Sequence, residues 1–164
     1  MKFKSFILSF VLILSLIPQG VLANMQDTTP PTLENIEMID TNVSAGEPVS
    51  FKVKAKDDLS GVEYISVTFT SPSRKDYISA SLRIEKETED HVYTLTTHNA
   101  IHTFAEEGTW YLSSLRIGDN ADNYFSQYYG YDHPGYQEKP LVTFEVKNDS
   151  NDTKPPTLES IEMI

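Results

Sequence analysis

Apolar and polar side chains alternate with a period of two along four separate stretches of this 164-residue chain. Val49, Phe51, Val53 and Ala55 interleave with Ser50, Lys52, Lys54 and Lys56. Ile65, Val67 and Phe69 interleave with Ser66, Thr68 and Thr70. Ile78, Ala80, Leu82 and Ile84 interleave with Ser79, Ser81, Arg83 and Glu85, and Val142, Phe144 and Val146 with Thr143, Glu145 and Lys147. Successive residues of a strand face opposite sides, so each stretch predicts a strand with one buried and one wet face. Leu33 to Ile39, His91 to Thr97 and Thr109 to Ile117 supply three less regular runs. Turn residues separate them, notably Gly46-Glu47-Pro48, Asp57-Asp58-Leu59-Ser60-Gly61, Ser71-Pro72-Ser73 and Gly118-Asp119-Asn120. Seven strands without a convincing amphipathic helix predict an all-β chain folded as an antiparallel β-sandwich. Residues 99–107 are the least regular and are the place for a short helical turn.

The unit that folds this way is marked by an internal repeat. Residues 27–39 read DTTPPTLENIEMI and residues 152–164 read DTKPPTLESIEMI, an offset of 125 residues with two differences. A period of that length is a whole-domain duplication, not a solenoid turn. The predicted organisation is a sandwich over 24–147, a polar, proline-ended linker over 148–156, and the first strand of a second copy over 157–164. The expected context is a longer tandem array.

Residues 1–23 stand apart. Lys2 and Lys4 precede an apolar run from Phe6 to Ile17, and Val21-Leu22-Ala23 places small residues before Asn24. This is the layout of a secretory signal peptide, with an apolar run short for a bilayer span. Cleavage there removes two lysines and no acid, taking the net charge from −11 to −13. Such acidity excludes nucleic acid and anionic lipid as partners. The absence of cysteine excludes disulfides, thiol chemistry and cysteine-ligated zinc.

Three stretches of the repeat are informative together. DTTPPTLENIEM, SAGEPVSFKVKAKDDLSGVEYISVTF and GTWYLSSLRIGDNADNY occur here in that order. Together they resemble the bacterial immunoglobulin-like domains, of cadherin or fibronectin-III type, strung along surface and secreted proteins. The resemblance implies a non-catalytic, extracellular spacer or adhesive stalk unit. Its implied partners are neighbouring repeats, a cell-wall glycan or a surface protein, with no membrane span after signal cleavage.

Two clusters are candidates for chemistry. In a seven-strand sandwich the loops after the second and sixth strands share one end with the N-terminus. That places Asp27, Asp57, Asp58, Asp119, Asn120 and Asp122 at one tip, with Asn123 beside them. Hard oxygen donors in such number suit Ca²⁺, which takes 6–8 of them. The second cluster is aromatic. Tyr124, Tyr128, Tyr129, Tyr131 and Tyr136 crowd the long connection before the last strand, an extended hairpin or an insertion. Tyrosine faces suit sugar rings and protein partners. The alternative functions are therefore a glycan- or wall-binding module using residues 124–136, or an accessory domain of a longer secreted hydrolase. No nucleophile elbow, phosphate loop, dinucleotide fingerprint or HExxH motif is present. His98, Ser113 and Asp119 can be forced into a triad, but any serine- and acid-rich chain allows that, and the chain is read as non-enzymatic.

Overall fold

A computed structural model describes residues 26–130, 136–137, 139–149, 154 and 156–163. The expected export signal lies outside the described residues. Among the described residues there are ten strands: β1 (Thr32–Met38), β2 (Asn42–Ser44), β3 (Ser50–Lys56), β4 (Val62–Thr70) and β5 (Tyr77–Arg83). They continue with β6 (Val92–Thr96), β7 (Gly108–Asp119), β8 (Tyr124–Tyr129), β9 (Tyr136–Gln137) and β10 (Thr143–Lys147). No helix occurs among the described residues, and none is long and apolar enough to cross a membrane. Residues 99–107 form irregular turns that bury Ile101 and Ala105, so the expected helical turn is replaced by side-chain anchoring.

The strands form two sheets. β1, β3 and β6 make the smaller one, in that order. The larger runs β2-β10-β7-β4-β5, with β8 pairing β7 and β9 pairing β8. The chain changes sheet between β1 and β2, and β2 pairs in parallel with β10. β7 is long enough for two partners along one edge. Residues 108–111 pair with β10, and 114–118 pair with β8.

The two sheets bury their apolar faces against each other. β3 places Phe51, Val53 and Ala55 inward while its lysines face water. Phe69 meets Phe51 edge-on at 5.2 Å and Phe144 at 5.3 Å, and Trp110 lies 6.2 Å from Phe144. These four rings join β3 of one sheet to β4, β7 and β10 of the other. Each buried large side chain contributes about 1.5–3 kcal/mol relative to exposure. The Trp110 indole N–H donates to the Glu106 carbonyl at 2.9 Å, so its polar edge is satisfied within the core.

The register fixes the poles of the sandwich. β7 runs from Gly108 to Asp119, and β10 pairs with its beginning, Val146 opposite Gly108. The C-terminal end of β10 therefore lies at the pole opposite Asp119. Asn148, placed in the linker by its sequence, is buried and donates to the Ala105 carbonyl at 2.7 Å. Beyond it, Leu158, Ile161 and Met163 are exposed and belong to no strand, although Leu33 and Ile36 of the matching β1 sequence pack on the core.

Candidate functional site

Three chain segments meet at the pole that carries Asp119: residues 27–31 leading into β1, the β3–β4 loop, and the β7–β8 turn. Asp27 precedes the first strand yet is only 7% exposed. Its Oδ1 accepts hydrogen bonds from the Thr29 amide (3.0 Å) and hydroxyl (3.1 Å), and its Oδ2 from the Ser60 amide (3.0 Å). Hydrogen bonds from Ser60, chiefly its side chain, and then from Thr29 hold the Asp27 carboxyl at a pKa of about 2.

Asp57 directly follows the lysine-bearing strand β3 and turns the chain. Its Oδ2 accepts from the amides of Leu59 (3.1 Å), Ser60 (2.9 Å) and Gly61 (3.0 Å). Gly61 has a φ of 81°, a backbone conformation that glycine adopts without strain. Asp119, 1% exposed, does the same for the next turn. Its Oδ1 accepts from the amides of Ala121 and Asn123 (both 2.8 Å), and its Oδ2 from the Asn123 side-chain amide (2.9 Å). Asn123 also donates to the Asp27 carbonyl at 3.3 Å, tying the incoming segment to the β7–β8 turn.

The outcome is a triad of carboxylates, Asp27, Asp57 and Asp119, with one oxygen from each lying within 4.8 Å of the others. Backbone amides fix all three side chains in place. Among the described residues no Lys, Arg or His forms an ion pair with any of them. Asp57 Oδ1 is buried and accepts no hydrogen bond. A buried oxygen of a charged carboxylate without a partner is costly and rare. His91 Nδ1 and Tyr93 OH are also buried without hydrogen-bond partners, but burial favours the neutral form of Tyr93 by raising its pKa. An open groove of about 410 Å³ runs beside Asp57 and is lined also by Asp58, Glu85, Lys86, Glu87 and Asn120.

The other acidic-tip residues take different positions. Asp58 faces outward and its Oδ1 accepts from the Thr29 hydroxyl at 2.8 Å. Asn120 donates to the Ser60 and Gly61 carbonyls at 3.0 and 3.1 Å, joining the two loops. Asp122 is exposed and adopts the left-handed conformation, φ 67°, in the tight turn. The sequence does not mark Thr29 or Glu87. Glu87 accepts from the Val62 amide at 2.9 Å and so braces the same loop from the β5–β6 connection. Nothing in its sequence neighbourhood signals that role.

The tyrosines divide. Tyr129 is 2% exposed and joins the core, where burial raises the pKa of its hydroxyl; it presents no face to a ligand. Tyr124 and Tyr128, at 55% and 46% exposure, share the outer face of β8. Tyr131 lies outside the described residues, and Tyr136 is placed by its backbone in β9. The triad residue types do not assemble. Ser113 is buried and bonded to Thr70 and the Thr68 carbonyl, while His98 Nε2 lies 2.8 Å from Ser81 Oγ.

Residues 25–149 match the family described as a domain of unknown function, DUF7743. The chain belongs to the DUF7743 family. The match covers the whole sandwich, with the three converging acids inside it. No curated protein matches the chain. Among solved structures, Cwp6 from Clostridium difficile is similar at 17% identity and a TM-score of 0.48. That likeness covers 80% of this chain and 20% of Cwp6, so the DUF7743 domain and its flanks span about a fifth of that protein's length.

Proposed function

We propose that this DUF7743 domain is a non-catalytic, immunoglobulin-like unit of a secreted or cell-surface tandem array, and that its N-terminal tip binds Ca²⁺ through Asp27, Asp57 and Asp119. One observation carries the reading: carboxylates from three distant segments converge, and a buried Asp57 oxygen is left without a donor. The donor set fits the ion. All three groups are hard oxygens, and the open groove beside Asp57 admits water. Ca²⁺ tolerates irregular coordination by loop ligands better than Mg²⁺, which demands near-ideal octahedra. A bound cation would also relieve the mutual repulsion of the three acids.

The spacer reading is supported by where the poles lie. Asp27 sits on the segment that enters the domain, and Asp152 occupies the same position in the second copy of the repeat. The end of β10 lies at the opposite pole, so copies would follow one another end to end. A cation held at each tip would clamp the incoming segment onto its domain and stiffen each junction. Parallel pairing of β2 with β10, together with the switch of sheet after β1, supports the immunoglobulin-like assignment. Isothermal titration calorimetry with CaCl₂ tests the function. The expected result is one ion per domain, lost in Asp119→Asn; an absence of binding at millimolar Ca²⁺ would remove the metal from the account.

A further inference from the structure

The outer face of the larger sheet carries a second, independent arrangement. Strands β5, β4, β7 and β8 lie side by side there, and their registers align three cross-strand rows. The row nearest the acidic tip reads Arg83, Tyr64, Gly118, Tyr124. The next reads Ser81, Ser66, Arg116, Ser126, and the third Ser79, Thr68, Ser114, Tyr128. None of these twelve positions is Asp or Glu, in a chain with 24 acidic residues and a net charge of −11. None is Leu, Ile, Val or Met either. Small hydroxyl residues fill the middle, and tyrosine and arginine stand above them.

Neighbours fix both rings. A Cβ on Gly118 would lie 2.0 Å from the Tyr64 ring, so that ring rests directly on the glycine. The Arg116 guanidinium lies 4.2 Å from the Tyr124 ring centre and 5.8 Å from that of Tyr64. Arg83 is paired with Glu63. Arg116 has no acidic partner among the described residues. It is an exposed, oriented cation beside two aromatic rings, in rows that carry no carboxylate of their own.

We propose that this face binds a polysaccharide bearing carboxylates, with sugar rings stacked on Tyr64 and Tyr124 and an acidic substituent on Arg116. The charge selects an anion, because Arg116 offers a planar fork that matches a carboxylate. The rows of serine and threonine select a sugar over a protein, since protein interfaces are depleted in serine and their hot spots in serine and threonine. Repulsion from the rest of the acidic chain is screened beyond about 8 Å at physiological salt, so the local face decides.

Affinity electrophoresis of the full chain in gels containing polygalacturonate or dextran tests this, with a chelator present so that no cation bridges the acids. Polygalacturonate retards the wild type and dextran does not. Arg116→Glu and Tyr124→Ala each weaken retardation about tenfold or more. Lys52→Glu, the same charge change on the opposite sheet, leaves it unaltered. Arg116→Gln replaces Arg116→Glu in the comparison if the latter melts early. Equal loss in Lys52→Glu and Arg116→Glu would reduce the effect to net charge and overturn the proposal. So would equal retardation by dextran, no retardation at all, or a sedimenting dimer that Arg116→Glu converts to monomer without any glycan.

Discussion

Replacing Asp57 with Asn separates the two roles of that residue. The Asn side-chain oxygen can still accept from Leu59, Ser60 and Gly61, so the loop keeps its shape. What disappears is one charge of the converging triad. With oxygens of Asp57 and Asp119 no more than 4.8 Å apart, their repulsion is about 0.9 kcal/mol in a water-like medium and about 3.5 kcal/mol at an effective dielectric near 20. Weaker hydrogen bonds to a neutral acceptor offset part of that gain. In chelator, Asp57→Asn therefore melts at or above the wild-type temperature, although it alters a buried loop anchor. In Ca²⁺ the order reverses. An ion at a concentration about 100 times its Kd stabilises the wild type by about 2.7 kcal/mol, or roughly 10 °C for a domain of this size, and the variant gains little. Thermal unfolding by circular dichroism, in EDTA and in CaCl₂, reads all four values. The reasoning is refuted if the variant gains as much from Ca²⁺ as the wild type, or if it melts well below it in EDTA.

Other residues give independent checks. Asp27 has its folded pKa depressed to about 2, so its contribution to stability is complete above the unfolded value near 4 and is lost as pH falls between the two. Asp27→Asn should flatten the acid limb of a stability–pH curve in that window, measured by urea unfolding in chelator. Trp110→Ala removes a buried ring and its bond to Glu106, and should cost about 3–5 kcal/mol by the same method. Gly118→Ala forces the Tyr64 ring off the sheet and should cost about 1–3 kcal/mol, largely recovered in the Gly118→Ala, Tyr64→Ala double variant. Deleting residues 156–164 should leave the melting temperature unchanged, because Leu158, Ile161 and Met163 are exposed and join neither sheet.

Much of the fold was legible because burial is one-sided. β3, β4, β5 and β10 follow the alternation of Val49–Lys56, Ile65–Thr70, Ile78–Glu85 and Val142–Lys147 within a residue or two at most ends. β2 escaped notice, since Asn-Val-Ser has one buried side chain and owes its strand to β10 alone. β8 falls inside the stretch whose sequence predicts a long connection. In Tyr-Phe-Ser-Gln-Tyr-Tyr both faces carry tyrosine, so composition hides the period that separates buried Tyr129 from exposed Tyr128.

The tip was legible for a topological reason. A sandwich returns the second and sixth strands of the expected set to one pole, which brings Asp57 and Asp119 to Asp27. The sequence does not distinguish Asp57 from Asp58, or Asp119 from Asp122. The alternation of the strands decides those pairs: Asp57, just past β3, and Asp119, the last residue of β7, keep the inward phase, while Asp58 and Asp122 fall on exposed turn positions. The sheet-face rows were beyond sequence reading altogether, because they depend on four registers at once.

The central claim is that a cation sits among Asp27, Asp57 and Asp119. Amide chemical shifts followed by ¹⁵N NMR during a Ca²⁺ titration test it most directly, since backbone amides hold all three carboxylates. The account predicts saturable shifts concentrated at Thr29, Leu59, Ser60, Gly61, Ala121 and Asn123, with the outer sheet face unaffected. A spectrum unchanged at millimolar Ca²⁺, or shifts scattered over exposed acids elsewhere, would contradict it.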